Sequence, residues 1–227
     1  MKVRGKPHLL LFVSLPLILL LGGGKEGEKL TPSLILKKMS QAEKQMSTFT
    51  ASFKEERSYA YDPTKERLSG KIYYKKPGRI RWDYLNPTKK EIVVTPKRAW
   101  IYLPDANQVQ LIKFSGKTKF TSLPIGFGGP SPMVNRDYEL NLLPRKDGLI
   151  PLELIPKKKT EASYYYRKIV IYLDPARWLP ASRIELFEIT GDATTFALEN
   201  ISLNKKIPSK LFSFKFPKGV EIIDYTK

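Results

Sequence analysis

The strongest constraint on this chain is a hydrophobic period of two that repeats over most of its length. Phe49, Ala51 and Phe53 alternate with Thr and Ser. Leu68, Gly70, Ile72 and Tyr74 follow, then Ile80, Trp82 and Tyr84 between Arg79, Arg81 and Asp83. The pattern continues at Ile92 and Val94, Trp100 and Tyr102, Val109 and Leu111, and Tyr138, Leu140 and Leu142. Further along it recurs at Leu152 and Leu154, Ile169, Ile171 and Leu173, Ile184 and Leu186, Phe196 and Leu198, and Phe212, Phe214 and Phe216. Alternation of this kind marks strands buried on one face, as in an antiparallel sheet. The segments amount to about eleven or twelve strands, and few gaps are long enough for the crossover helix of a parallel pair. One long sheet has two edges to protect, and curling towards a barrel is the usual remedy. A barrel of about eleven strands is too wide for its own side chains to fill. Something else must occupy the concave face.

Two segments break the period. Thr31 is a good N-cap and Pro32 suits the first helical position. Leu34, Ile35, Met39, Ala42 and Met46 then recur at helical spacing, with Lys37, Lys38, Gln41 and Lys44 on the other side, which predicts a helix ending near Ser47. Between Ser115 and Asn135 the chain carries four Gly and three Pro around Leu123, Ile125 and Phe127. A loop that long with apolar residues in it reads as a lid or plug.

The first residues read as a secretory signal. Lys2, Arg4 and Lys6 precede an apolar run from Leu9 to Leu21, and Gly22, Gly23 and Gly24 follow. The run is short for a membrane span, which needs about 20 residues. The expected organisation is a signal peptide over 1–24 and one domain over 25–227, although the cleavage site lacks an Ala-x-Ala and an uncleaved anchor is the alternative.

Catalytic chemistry has few residues to work with. The chain has no Cys and one His, His8, which lies within the signal segment. That excludes thiolate and His-ligated metal sites, Cys nucleophiles and Ser-His-Asp triads from the mature chain. Gly22, Gly24 and Gly27 fit G-x-G-x-x-G with no strand before them, and Ser202 and Lys205 fit S-x-x-K at the end of a strand rather than at a helix start. Lys157, Lys158 and Lys159 read as a loop. No catalytic residue, metal or cofactor is expected. The formal net charge of +18 suggests an anionic partner. Alternation of Lys and Arg with buried positions instead spreads that charge over the outer face of the sheet, so nucleic acid is not the expected partner.

The ordered series Phe49-Thr-Ala-Ser-Phe, Leu68-Ser-Gly-Lys-Ile-Tyr-Tyr-Lys-Lys-Pro-Gly-Arg-Ile-Arg-Trp-Asp-Tyr, Pro87, Ile92-Val-Val, Ala99-Trp-Ile-Tyr and Phe212-Ser-Phe-Lys-Phe-Pro-Lys-Gly-Val-Glu-Ile-Ile-Asp resembles the bacterial outer-membrane lipoprotein carriers of the LolA family. The resemblance runs from about Thr31 onward. It is tight at Gly70–Tyr84 and at the C-terminus, and loose between Ser115 and Thr195. It implies a mainly β (α+β) fold: a single antiparallel sheet of about eleven strands curled into an unclosed barrel, with the N-terminal helix and a lid segment over its concave face. It further implies a monomeric, non-enzymatic periplasmic protein. Such a protein takes acylated lipoproteins from an inner-membrane ABC transporter to an outer-membrane acceptor, with the acyl chains in an apolar cavity.

On that reading the lipid-cavity candidates are Met39, Met46, Phe53, Ile72, Tyr74, Ile80, Trp82, Trp100, Tyr102, Leu111, Ile171 and Phe214. The two methionines suit a surface that must repack. The lid or gate candidates are Lys76, Leu123, Ile125 and Phe127. Lys76 occupies the position before Pro at which the best-known carriers hold the lid with an Arg, and a point charge replaces a planar fork there. A lipid-sensing or partner-binding scaffold of the same fold, and a polyanion-binding envelope protein, are the alternatives.

Overall fold

The computed structural model describes residues 29–114 and 134–225. The expected signal segment 1–24 and the lid candidates Leu123, Ile125 and Phe127 lie outside the described residues.

Helix α1 (Pro32–Gln45) forms where the capping signals place it. Thr31 Oγ1 accepts the Leu34 N–H at 3.2 Å, satisfying one of the free N–H groups of the first turn. The helix stops at Met46, whose extended backbone leads directly into the first strand.

Twelve strands follow: β1 (Thr48–Tyr59), β2 (Asp62–Lys75), β3 (Arg79–Asn86), β4 (Lys90–Val94), β5 (Arg98–Leu103), β6 (Gln108–Lys113), β7 (Tyr138–Leu142), β8 (Ile150–Pro156), β9 (Tyr166–Leu173), β10 (Arg183–Glu188), β11 (Ala193–Leu203) and β12 (Glu221–Asp224). A short helix α2 (Val134–Asp137) precedes β7. The strands make one sheet in the order β12-β6-β5-β4-β3-β2-β1-β11-β10-β9-β8-β7. Among the described residues β12 and β7, the ends of that order, pair with no further strand and not with each other, so the sheet is not closed.

Two details depart from the expectation. Phe212, Phe214 and Phe216 alternate but form no strand. Residues Ser209–Phe212 make a 3-10 turn between Pro208 and Pro217, and the segment crosses the sheet face instead of pairing with an edge. The edge strand is β12, which starts after Gly219 (φ +73°) and pairs parallel with β6. The sheet is therefore mixed at that one edge and antiparallel elsewhere.

Its curvature follows from the core. Buried residues of β1 to β5 and of β8 to β11 form one apolar cluster together with Ile35, Leu36 and Met39 of α1. In sheet order those nine strands span roughly 38 Å at ~4.8 Å per strand, whereas a helix is about 10 Å across. Flanks that far apart are buried under one helix only if the sheet curls round it.

Candidate functional site

Cross-strand register decides which side chains face the helix. Residues directly opposite in antiparallel strands point to the same side. One rung runs Leu203, Phe49, Tyr74, Ile80, Val94 and Ala99. The next runs Ala51, Ile72, Trp82 and Ile92. A third joins Phe53, Gly70, Tyr84 and Lys90. Gly70 is required in that rung: a Cβ there would lie 1.9 Å from the Asp83 carbonyl oxygen and 2.8 Å from the Phe53 ring. The missing side chain lets Phe53 meet Trp82 and Tyr84 edge-on, with ring centroids 4.9 Å apart in each pair.

Eight of the predicted cavity residues gather on this helix-covered face: Met39, Met46, Phe53, Ile72, Tyr74, Ile80, Trp82 and Ile171. The other four do not. Trp100 pairs with Val93, the neighbour of inward-facing Ile92 and Val94, so it points away from α1. Tyr102, Leu111 and Phe214 join it in a second cluster on the opposite face, under the C-terminal segment. The alternation of β5 and β6 is as clear as that of β3, but a period of two states that there are two faces and not which is which.

The concave face is not uniformly apolar. Beyond the Phe53 rung, towards the β1–β2 turn, Glu55 is 2% exposed. It accepts hydrogen bonds from Arg57 Nε at 2.6 Å and from the Tyr84 hydroxyl at 2.8 Å. Burial, and then the Glu55 charge, push the Tyr84 hydroxyl far above its ordinary range. Burial and the nearby Arg57 push the Lys90 ammonium down, and its Nζ sits 4.0 Å over the Tyr84 ring. The sequence carries this signal in a form easily missed: Glu55 continues the inward series Phe49, Ala51, Phe53.

The near end is tied by Lys76. Its ammonium donates to the Glu43 carbonyl in the last turn of α1, and its backbone N–H donates to the Ser47 carbonyl at 2.9 Å. The Glu43 carbonyl also accepts the Met46 N–H at 3.2 Å, so the Lys76 cation adds a second donor there and opposes the negative end of the helix dipole. Tyr74 sits at the same end. Burial first, then the Glu43 charge, push its hydroxyl up to about 12. The outer side of α1 presents Lys37, Ser40, Gln41 and Lys44 to a shallow groove beside Asn135.

An open, curled sheet holding one helix against a continuous apolar face defines a class of half-barrel. Residues 44–215 match the family described as outer membrane lipoprotein carrier protein LolA, and this chain belongs to that family. The outer-membrane lipoprotein carrier protein of Legionella pneumophila (strain Paris) is similar to it, 30% identical over 157 residues, 69% of this chain and 74% of the relative. Two solved structures share the fold. One is an uncharacterized conserved protein from Thermus thermophilus, with TM-score 0.53 and 13% identity over 85% of this chain and 98% of that one. The other is the Pseudomonas aeruginosa MucA/MucB complex, with TM-score 0.50 and 15% identity over 81% of this chain and 60% of that one. No helix among the described residues is long and apolar enough to cross a membrane.

Proposed function

We propose that this protein carries acylated lipoproteins through the periplasm from the inner to the outer membrane, holding their acyl chains on the concave face of the sheet. The observation that carries the reading is the single apolar cluster shared by α1 and nine strands. Family membership supports it, as does the name of the Legionella relative. In the empty protein, α1 covers the apolar face with Ile35, Leu36 and Met39. An arriving acyl chain takes over contacts made by these side chains, and α1 shifts to admit it. No bond is made or broken. The protein acts as a monomer without cofactor, exported by the segment 1–24. It receives cargo from an ABC transporter in the inner membrane and yields it to an acceptor at the outer membrane.

The test is gentle purification from the native host followed by mass spectrometry of an organic extract. Diacylated or triacylated N-terminal peptides in stoichiometric amount are expected. Their absence, in a preparation that retains lipid on a control carrier, refutes the reading.

A further inference from the structure

The opposite face of the sheet carries a second site-like feature. A groove of about 480 Å³ lies between the β4–β5 turn and the C-terminal segment, lined chiefly by Arg79, Lys97, Arg98, Trp100, Phe212 and Phe214. Its floor is aromatic. Trp100 stacks with Phe214 at 6.4 Å between ring centroids, and the Arg98 guanidinium lies 5.5 Å over the Trp100 ring.

What distinguishes the groove is unpaired positive charge. Three neighbouring cations on the same part of the sheet have partners. Arg81 bonds Asp83 at 2.6 Å and Glu91 at 2.8 Å, Lys113 bonds Asp224 at 3.2 Å, and Lys75 donates to the Ile207 carbonyl at 2.9 Å. Arg79, Lys97 and Arg98 have no carboxylate partner among the described residues. Segment 115–133, which follows β6, contains no Asp or Glu that could supply one. Trp100, itself only 9% exposed, adds an indole N–H that is buried with no acceptor among the described residues. Buried donors are normally satisfied, and one left over in a cationic groove points to an acceptor-rich ligand.

The rim indicates where that ligand sits. Phe216 makes an edge contact with Phe214 and is 43% exposed. Ile222 is in register with Val109 of the same outer cluster and is 51% exposed. Exposed apolar side chains beside clustered Lys and Arg are the composition of a surface that lies on a bilayer, with rings among the upper acyl groups and cations at the phosphates.

We propose that this groove seats the phosphate of an anionic phospholipid and docks the protein, by its outer face, on a membrane surface. The docking leaves the concave face free, and it stands independently of what that face carries.

The experiment is vesicle flotation of the purified protein with phosphatidylcholine vesicles, with and without phosphatidylglycerol. The variant Arg79→Gln/Lys97→Gln/Arg98→Gln removes the groove charge. The variant Lys89→Gln/Arg145→Gln/Lys158→Gln removes the same charge from exposed positions elsewhere. The groove variant is expected to lose roughly 100-fold in affinity for phosphatidylglycerol vesicles, about fivefold for each cation, and the control less than about threefold. Lys97→Gln alone, in a turn, is expected to lose about fivefold. Melting temperature and near-ultraviolet circular dichroism of each variant report on folding. Phe216→Ser/Ile222→Ser is expected to weaken vesicle binding as well. Equal losses in the groove and control variants, or equal binding to pure phosphatidylcholine, overturn the proposal. Complete displacement by excess glycerol phosphate, the headgroup without its chains, assigns the groove to a soluble phosphoester and also overturns it. Binding of an acylated peptide by the groove variant separates this result from the carrier reading: unchanged acyl binding with lost flotation supports the groove and leaves the concave face untouched.

Discussion

Lys76→Met is the perturbation that most directly tests α1 as a lid. The substitution keeps the length and most of the volume of the side chain while removing the ammonium that donates to the Glu43 carbonyl. A hydrogen bond from a charged donor contributes about 1.5–3 kcal/mol when buried. Lys76 is only half-buried, so about 1–2 kcal/mol is a fair expectation after solvent screening. The backbone bond from Lys76 to Ser47 is retained, so the strand end stays in place. If α1 covers the apolar face in the empty protein and yields it to cargo, the loss falls on the empty state alone. The equilibrium between covered and open forms then moves by about five- to thirtyfold. Apparent affinity for an acylated peptide rises by that factor, and release slows.

The assay is titration of an environment-sensitive acylated peptide, paired with its transfer rate to acceptor vesicles. Lys76→Arg, which restores a donor, serves as the control and is expected to return release towards the parent rate. The same loss lowers the melting temperature of the empty protein by about 2–8 °C. A variant that melts lower while its affinity and transfer rate stay unchanged refutes the argument. That outcome makes the tie a plain structural bond and leaves α1 fixed.

Gly70→Ala places a methyl group 1.9 Å from the Asp83 carbonyl oxygen, so β2 and β3 must separate. A loss of about 3 kcal/mol or more is expected, read from the denaturant midpoint; a loss under about 1 kcal/mol contradicts the rung geometry. Alkaline titration gives a further check. Burial pushes the hydroxyls of Tyr74 and Tyr138 up to about 12, above the value of about 10 for an unfolded tyrosine. Between those values the native state binds more protons than the unfolded state. Stability is therefore complete below about pH 10 and falls as pH rises through about 12. Tyr74→Phe is expected to flatten that fall, measured by tyrosinate absorbance alongside urea unfolding at each pH; an unchanged slope refutes the assignment.

Much of the fold was legible because one periodicity dominates the chain. The strands announce themselves through Ile80, Trp82 and Tyr84 and their counterparts, and α1 through Thr31 and Pro32. The face of each strand was legible only where a neighbour fixed it. Ile72 and Trp82 pair with each other and lie under the helix, whereas Trp100 and Tyr102 show the same alternation and lie on the far side. Which face a stripe takes depends on strand phase, set by turns such as Thr95–Arg98, where three hydrogen bonds join the ends. Phe212, Phe214 and Phe216 misled for a related reason. Alternation also fits an irregular segment laid over an apolar surface, and Pro208 and Pro217 at its ends argue against strand pairing. Glu55 shows the converse: a lone carboxylate in an apolar stripe marks a buried polar end that composition cannot reveal.

Covering the apolar face with a helix rather than with more sheet has an energetic consequence. A saturated acyl chain of about sixteen carbons gains on the order of 12 kcal/mol from leaving water, at about 0.8 kcal/mol per CH₂. Bound to an empty, rigid groove, it would be released too slowly for a carrier. Here Ile35, Leu36, Met39 and Met46 are already buried against the sheet. Each such side chain is worth about 1.5–3 kcal/mol on burial, roughly 6–12 kcal/mol together. On the proposed carrier reading, an acyl chain that displaces them gains little net free energy, so transfer in either direction stays accessible. Strands could not play this part, because lifting a strand breaks a ladder of backbone hydrogen bonds, whereas α1 keeps its own when it moves. The Lys76 tie, at about 1–2 kcal/mol, is then of the right size to bias an exchange that is otherwise close to balanced.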